Sequence, residues 1–277
     1  MTNNNPTLLP MTFIGGGNMA QALISGWLKQ GLPASAIHVV EPQAQTRAVV
    51  QQHVGIHCHE NAADAPTDSK LVVWAIKPQV FKEVALPLAA RFTQALHLSV
   101  AAGVRSDSMA RWLGTERVVR VMPNTPALVG LGQSGLFARD HVSAQEREHV
   151  QQLMQAVGQS VWVATEDQLD AVTALSGSGP AYVFFFIEAM TQAGIDMGLP
   201  PQQAHQLAVG TFVGASELAR SSSEPPSVLR ERVTSKGGTT YAAITSMQSD
   251  SIAGLIAKAL KAAQQRSQEL GNVLDQA

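Results

Sequence analysis

A run of glycines separates the first apolar segment of this 277-residue chain from its first amphipathic one. Residues 11–14 form a short apolar run, and the glycines at 15–17 stop it. From Met19 onward the apolar residues recur at helical spacing, and Gly31 lies where a left-handed C-terminal cap would fall. A glycine turn between a strand and a helix permits only a tight strand–turn–helix unit, which is typical of α/β domains that bind dinucleotides.

Strand-like and helix-like patterns alternate as far as about residue 164. The run at 71–76 is continuously apolar, as expected of a parallel strand that is buried on both faces. Ser143 and Glu146 have the spacing of a capping box at the start of a helix. This order predicts βαβ units and a Rossmann-type, doubly wound, mostly parallel sheet. The predicted strands are 11–14, 37–40, 55–58, 71–76, 96–100, 118–122, 135–138 and 160–164.

The second half of the chain has helical patterns and no convincing strand. No charged residue occurs from 171 to 187, and proline pairs punctuate the helices near their starts. The predicted helices are 180–197, 202–220, 228–232, 241–248 and 252–270. We therefore predict two domains, an α/β domain at 1–166 and an all-helical domain at 167–277.

Composition excludes several classes of protein. Charged residues make up only 14% and the net charge is -2, so no basic surface favours nucleic acid or anionic lipid. Hydrophobic residues at 45% argue against disorder and call for an internal or subunit interface that hides uncharged surface. The single cysteine, Cys58, rules out an intramolecular disulfide framework. With no signal-like N-terminus and no long apolar segment, we expect a soluble, cytoplasmic protein without a membrane association.

The glycine turn has the pattern G-x-G-x-x-A. Gly15 would allow the tight turn, Gly17 would let the backbone approach a pyrophosphate, and Ala20 would permit close helix packing. Glu41 follows the second strand about 26 residues after Gly15, where an acidic side chain can bind the ribose 2′-hydroxyl and repel a 2′-phosphate. A solvated strand-end charge explains Glu41 equally well. Arg47 would offset the carboxylate, so the preference between NADH and NADPH stays open, with tolerance of NADH favoured.

Three more loops follow predicted strands, where ligands of open α/β sheets bind. Lys77 and Pro78 follow the strand at 71–76, and Lys77 is either a cofactor contact or an exposed strand-end charge. Ala101 begins a stretch of small residues against which a nicotinamide ring could lie. The loop at 122–126, MPNTP, is either a rigid amide-bearing loop or a structural turn.

A further loop, VTSKGGTT at 233–240, lies in the helical half. Paired glycines flanked by hydroxyl side chains before a helix form an anion cradle, for which a carboxylate is the natural guest. A plain helix-capping turn is the alternative. His53, His57, Cys58 and His59 also cluster, but they crowd one short segment, whereas tetrahedral metal sites draw their ligands from separated pairs. We therefore predict no metal site there.

Six short sequence motifs occur along the chain in this order: FIGGGNMA, AIKPQ, AAGV, RVMPNTPALVG, ALSGSGPAYVFFFIEAM and VTSKGGTTYAAI. Together, over roughly residues 11–270, they resemble the pyrroline-5-carboxylate reductase family. The resemblance implies a Rossmann domain that binds NADPH or NADH, and an all-α C-terminal dimerisation domain. It also implies a homodimer, often assembled into decamers, with the substrate where two subunits meet. Lys236 is a departure, because many members have proline there.

The resemblance also implies roles for single residues. The pyrophosphate is expected to bind at Gly15, Gly17, Asn18 and Met19. The adenosine half of the cofactor is expected to lie near Asn61, and the nicotinamide side near Ala75, Lys77 and Pro78. The substrate carboxylate and ring nitrogen are expected to be held by the loop that contains Ser235, Gly237, Gly238, Thr239 and Thr240. Thr240 is the expected catalytic residue, because its hydroxyl would bind the ring nitrogen.

The implied reaction is hydride transfer from NAD(P)H to the C=N bond of 1-pyrroline-5-carboxylate, which gives L-proline, the last step of proline biosynthesis. A protonated imine is already electrophilic, so positioning of the two rings supplies much of the acceleration. Two alternatives stay open: another imine or hydroxyacid reductase with a Rossmann and a helical domain, and a non-catalytic dinucleotide sensor. Reductases of the first kind typically carry a catalytic lysine on a helix of the second domain or lack the VTSxGGTT loop, and a sensor would have no need of both threonines at 239–240.

Overall fold

The computed structural model describes residues 8–276, in which there are eight strands and eleven α-helices. The strands are β1 (Met11–Ile14), β2 (Ile37–Val40), β3 (Cys58–His59), β4 (Leu71–Trp74), β5 (Leu96–Ser99), β6 (Val118–Met122), β7 (Gly132–Ala138) and β8 (Gly158–Trp162). The helices are α1 (Asn18–Lys29), α2 (Ala44–Val54), α3 (Phe81–Leu88), α4 (Ser106–Leu113), α5 (Ala144–Gln155), α6 (Gln168–Val172), α7 (Gly179–Asp196), α8 (Pro201–Ser221), α9 (Pro226–Arg232), α10 (Thr239–Ser249) and α11 (Ile252–Gln276).

The eight strands form one sheet in the order β3-β2-β1-β4-β5-β6-β7-β8. Neighbouring strands are parallel except β6 and β7, which pair antiparallel. The strand order changes direction between β1 and β4, which creates the crevice where ligands of doubly wound sheets bind. The predicted Rossmann-type, mostly parallel sheet is confirmed.

Five strands (β3, β4, β5, β7 and β8) differ from their predicted bounds, and glycines explain the differences at β3 and β8. The predicted strand at 55–58 begins only at Cys58, because Gly55 has φ +69° and caps the C-terminus of α2 in the left-handed conformation. The predicted strand at 160–164 begins instead at Gly158, paired with Gly132. A Cβ on Gly158 would lie 2.0 Å from the Gly132 carbonyl oxygen, so only glycine permits this approach.

Apolar side chains cover both faces of the sheet. One layer is centred on Trp27 of α1 and Leu153 of α5, together with strand residues such as Phe13. The other contains Phe81 of α3 and Trp112 of α4. Both faces of the parallel strands are therefore buried beneath helices, which is why β4 has four consecutive buried apolar residues.

The contacts divide the described chain into two compact units, one of which is Gly179–Ala262 and the other the remainder. This division is based on contacts between residues and does not test the domain boundary that the sequence places between 166 and 167, which stays a prediction. Gly179–Ala262 is entirely helical apart from its connecting loops, which confirms the predicted all-α part. Within α7 and α8 only Gly194, Ala204 and Ala208 are buried. Among residues 8–276, no helix has the length and apolarity to cross a membrane.

Candidate functional site

The residues predicted to bind a cofactor follow the carboxyl ends of five neighbouring parallel strands. Gly15 follows β1, Glu41 follows β2, Ala75 follows β4 and Ala101 comes shortly after β5. Asn61 lies beyond the end of β3. Because parallel strands present their carboxyl ends at one edge of the sheet, the fold brings these segments to a common edge, on both sides of the crevice.

The glycine turn has the backbone that the sequence predicts. Gly15 has φ +96°, and a Cβ there would lie 2.5 Å from the Ala75 carbonyl oxygen. Its amide donates to the carbonyl oxygen of Val40 at 2.8 Å. Gly17 is exposed and a Cβ there would meet nothing within 4 Å, whereas Ala20 is fully buried. The turn is therefore fixed on the sheet side and open on the other, which fits the close approach of a pyrophosphate.

The N-terminus of α1 leaves its first amides without a side-chain cap. Gly17 is the N-cap residue, and no side chain in the described part of the chain accepts a hydrogen bond from the first turn. Asn18 is exposed, while the Met19 side chain packs against the apolar core. Met19 would therefore contribute its main-chain amide, and the helix dipole adds attraction for an anion at this end.

Glu41 is buried, with 8% of its surface exposed, and its carboxylate joins two segments of main chain. Oε2 accepts a hydrogen bond from the Gly16 amide at 3.0 Å, and Oε1 accepts one from the Gln43 amide at 3.0 Å. The interpretation of Glu41 as a solvated strand-end charge is therefore wrong. The sequence did not reveal this bond to the glycine turn, since spacing places the residue near the turn but cannot orient its carboxylate.

Arg47 lies across the same turn between β2 and α2. Its Nη1 donates to the carbonyl oxygens of Glu41 and Pro42, at 2.9 and 2.7 Å. Its Nη2 donates to Glu60 Oε2 at 3.0 Å. The guanidinium is thus held by the main chain of the turn and by a carboxylate just after β3.

The segments after β4 and β5 present different groups. Lys77 is exposed, and its ammonium has no hydrogen bond or ion pair within the described residues. Pro78 begins a short 3₁₀ turn, Pro78–Val80, that leads into α3. Ala101 is buried, and its amide donates to Ser99 Oγ at 3.1 Å. Lys77 is therefore available to a ligand at this edge, while Ser99 fixes the backbone near Ala101.

The histidine cluster lies at the β3 edge of the sheet. His59 Nε2 and His38 Nδ1 are 3.2 Å apart, and the His57 ring lies edge-on to the His59 ring. Burial lowers the pKa of His38 and His59, so both are neutral at pH 7. Burial, with the Glu41 carboxylate, raises the pKa of the Cys58 thiol, which disfavours the thiolate that a metal requires. No group of three or more potential ligands is placed to hold a metal ion anywhere in residues 8–276.

The loop at 235–240 builds its own cradle in the helical unit. Gly237 has φ +77°, and the Gly238 amide donates to the Ser235 carbonyl oxygen at 3.0 Å. Gly238 is the N-cap residue of α10, whose first turn has no side-chain cap. Ser235, Thr239 and Thr240 are exposed. Open amides and exposed hydroxyls at the start of this helix suit a carboxylate guest.

The MPNTP loop is braced by one buried side chain. Asn124 Oδ1 accepts a hydrogen bond from the Gln133 amide at 2.8 Å, and Nδ2 donates to the Ser176 carbonyl oxygen at 3.0 Å. Ser176 belongs to a π-helical turn, Thr173–Gly177, which the sequence did not predict. Asn124 therefore connects two motifs that are far apart in sequence, and the structural interpretation of this loop is the better one.

Two different family models match the two halves of the chain. The family model described as "Pyrroline-5-carboxylate reductase dimerisation" matches residues 166–270. The model described as "NADP oxidoreductase coenzyme F420-dependent" matches residues 10–103.

Individual relatives match almost the entire chain. Pyrroline-5-carboxylate reductase of Pseudomonas aeruginosa is 47% identical over 268 residues, which are 96% of this chain and 98% of the relative. The solved structure of a pyrroline-5-carboxylate reductase from Coxiella burnetii is 36% identical, with a TM-score of 0.89 over 95% of this chain and 99% of that one. That of Plasmodium falciparum pyrroline carboxylate reductase, with NADP bound, is 26% identical, with a TM-score of 0.84 over 95% and 98%.

Proposed function

The chain belongs to the pyrroline-5-carboxylate reductase family, and we propose that its two glycine loops hold the two reactants. It is an NAD(P)H-dependent oxidoreductase that reduces the C=N bond of 1-pyrroline-5-carboxylate to give L-proline. The proposal concerns which of its residues do this. The observation that carries it is that both loops end in uncapped helix N-termini, at Gly17 and Gly238, which are ready-made anion sites.

The turn after β1 holds the cofactor in this proposal. Main-chain amides at Gly17, Asn18 and Met19 bind the pyrophosphate, because no side chain competes for them. Gly15 keeps the turn tight against Ala75, and Glu41 orients the Gly16 amide. Further residues proposed to contact the cofactor are Asn61 on the adenosine side, with Ala75, Lys77, Pro78 and Ala101 on the nicotinamide side.

The loop before α10 holds the substrate. Amides of Gly237 and Thr239 with the Ser235 hydroxyl bind the carboxylate, since charge-assisted bonds to backbone N–H groups favour an anion strongly. Gly238 shapes the loop around that carboxylate, because its own amide donates to the Ser235 carbonyl oxygen. The Thr240 hydroxyl, which is exposed and has no protein partner within the described chain, bonds the ring nitrogen. Thr240 thus orients that nitrogen and keeps its proton in place.

The chemistry requires little from the protein beyond placement. When bound, the reduced nicotinamide supplies a hydride for the imine carbon. The protonated ring nitrogen accepts the electron pair of the C=N bond and becomes the secondary amine of proline, so charge and atoms balance without a metal. Holding two reactants in one geometry is worth up to about 7–11 kcal/mol of barrier. An oriented hydroxyl at Thr240 is therefore a sufficient catalytic group.

The test is oxidation of NAD(P)H that depends on pyrroline-5-carboxylate, measured for the wild type and for Thr240→Ala. We expect the variant to lose about 10²-fold or more in kcat/KM, which is the usual range for removing a positioned proton-handling group. Its affinity for the cofactor, measured by fluorescence titration, should be unchanged. A Thr240→Ala enzyme that keeps the wild-type kcat/KM would contradict the role given to Thr240. A wild type with no substrate-dependent oxidation would instead favour a nucleotide sensor.

The assembly and the location are further parts of the proposal. We propose a homodimer formed through the helical unit, supported by the dimerisation family model over residues 166–270 and by the few buried residues of α7 and α8. Assembly of dimers into decamers is an expectation from the family resemblance. A cytoplasmic location is supported by the use of a nicotinamide cofactor and by a single half-buried cysteine, which suits a reducing compartment.

A further inference from the structure

One buried carboxylate connects three segments at the adenosine end of the proposed nucleotide site. The main chain of Glu41 is fixed to β3, since its amide donates to the His59 carbonyl oxygen at 2.9 Å. Its side chain accepts one hydrogen bond from Gly16 in the glycine turn and one from Gln43 before α2. Each carboxylate oxygen has a second acceptor position, so both bonds leave room for a donor from a ligand.

The turn between β2 and α2 contains no basic side chain that is free to pair with the Glu41 carboxylate. Arg47, the basic residue of the turn, donates to two main-chain carbonyls and forms an ion pair with Glu60. Two carboxylates and one guanidinium therefore leave the turn with a net negative charge. A ribose hydroxyl could donate to Glu41, whereas a 2′-phosphate would face a fixed carboxylate and compete with it for the Gln43 amide.

We propose that Glu41 makes this chain select NADH over NADPH, and that the same carboxylate positions the glycine turn. This inference rests on the proposed function in one respect only, namely that the nucleotide binds at this turn. The Glu41 carboxylate accepts a hydrogen bond from the ribose 2′-hydroxyl of NADH and repels the 2′-phosphate of NADPH. The fold already holds this carboxylate in place. Arg47 does not compensate, because its Nη1 donates to two main-chain carbonyls and its Nη2 is paired with Glu60.

The test measures the binding of two ligands and does not depend on catalysis. Isothermal titration calorimetry measures the Kd of ADP-ribose and of 2′-phospho-ADP-ribose, which differ only in the 2′-phosphate and cannot transfer hydride. We expect the wild type to bind ADP-ribose at least about tenfold more tightly, a free-energy difference of about 1.4 kcal/mol. Glu41→Gln removes the charge and one of the two amide bonds, so it should bring the two Kd values to within about threefold.

Two further variants separate charge from bracing. Glu41→Asp keeps the carboxylate but shortens its reach to Gly16 and Gln43, so it should weaken both ligands alike and keep the preference for ADP-ribose. Glu83→Gln removes an exposed carboxylate from α3, outside the turn, and should leave both Kd values unchanged. Thermal denaturation of each variant without ligand establishes that it is folded.

Three outcomes would overturn the proposal. The first is a wild type that binds 2′-phospho-ADP-ribose more tightly, with the advantage lost in Arg47→Ala, because Arg47 would then be the ligand of the phosphate. The second is a Glu41→Gln protein that keeps the wild-type ratio of Kd values. The third is a Glu41→Asp protein that loses the preference. Failure of substrate reduction with a normal Kd ratio would contradict the proposed function and leave this inference standing.

Discussion

The side chain of His97 is held in one tautomer by two neutral partners. Trp74 Nε1 donates to His97 Nδ1 at 3.0 Å, so Nδ1 is the acceptor and Nε2 carries the proton, which it shares with the Phe92 carbonyl oxygen at 3.2 Å. Protonation of Nδ1 would break the bond to Trp74 in a site that is 1% exposed. Burial accordingly lowers the pKa of His97 to about 4.

This histidine predicts a pH dependence of stability. In the unfolded chain His97 takes up a proton near pH 6.5, whereas in the folded protein it does so only near its lowered pKa of about 4. Its contribution is complete above pH 6.5 and is lost as the pH falls through about 4. Between pH 7 and pH 5 the free energy of unfolding should fall by about 2 kcal/mol from this group.

Urea denaturation at fixed protein concentration measures this loss. His97→Gln should be less stable than the wild type at pH 7, and its stability should fall less between pH 7 and pH 5. His141→Gln, which removes an exposed histidine, should retain the full wild-type fall. An NMR titration of the folded protein that places the pKa of His97 near 6.5 would contradict the prediction.

A methyl group at Gly238 tests the substrate loop. The Cβ of an alanine there would lie 2.8 Å from Ser235 Oγ and 3.1 Å from the Ser235 carbonyl oxygen, so Ser235 must shift. Gly238→Ala should therefore raise KM for pyrroline-5-carboxylate by about tenfold or more, the effect of losing about 1.4 kcal/mol of binding. The Kd of the cofactor should change less than about twofold. Lys236→Ala, at an exposed neighbour, serves as the control, and equal effects of Gly238→Ala on both ligands would refute the assignment.

At the scale of secondary structure, one carboxylate fastens a helix to a strand. Glu166 Oε1 accepts hydrogen bonds from the Ser106 amide at the start of α4 and from Arg120 Nη1 on β6, both at 2.6 Å. Oε2 accepts one from Ser106 Oγ at 2.6 Å. Burial opposes ionisation of Glu166, but Arg120 and Ser106 outweigh it and lower the pKa of the carboxyl. The group is therefore ionised at neutral pH and supplies the cap that α4 lacks within its own sequence.

Glu166→Gln should destabilise the protein by about 3 kcal/mol or more, because it leaves the Arg120 guanidinium buried without its counter-charge. Equilibrium unfolding in urea at pH 7 measures the loss. Asp167→Asn is the matched control, since that carboxylate is 75% exposed and Arg105 is its one ion-pair partner among residues 8–276. Its effect should stay within about 1 kcal/mol. A Glu166→Gln protein as stable as Asp167→Asn would show that the buried pair contributes nothing.

The sequence predicted elements well where local patterns decide them. The bounds of β2 and β6 match the prediction, and the capping box of Ser143 and Glu146 forms as expected. Local signals could not show that Glu166 caps α4, because its partners are more than 40 residues away. The π-helical turn at Thr173–Gly177 was also missed, since its carbonyl at Ser176 is bound by Asn124 from another loop. Tertiary hydrogen bonds decided these features, and no spacing rule encodes them.

The same distinction holds for the candidate site. Chain order and glycine spacing placed the cofactor segments at one edge of the sheet, because parallel strands require it. The orientation of the Glu41 carboxylate toward Gly16 depends on the tight packing of β2 against the glycine turn. Sequence alone therefore identified the residue but gave its role only as one of two alternatives.

At the scale of the whole molecule, the low charged fraction of 14% corresponds to apolar surface that a single chain leaves exposed. Helix α7 exposes much of Phe184 and Phe185, at 61% and 66%, and Met190 at 44%. Helices α9 and α10 contain no buried residue. Helices that bury so little cannot offset the conformational entropy lost on folding, so a partner must cover them.

Charged residues on α7 should therefore prevent assembly. The double variant Phe184→Glu with Phe185→Glu places two carboxylates on the exposed apolar face of α7, where a partner surface would have to bury them unpaired. We expect the wild type to elute as a dimer or larger in size-exclusion chromatography with light scattering. The double variant should elute as a monomer and unfold at lower urea. Gln155→Glu, an exposed change on α5, should leave the mass unchanged. A double variant with the mass and stability of the wild type would place the subunit interface elsewhere.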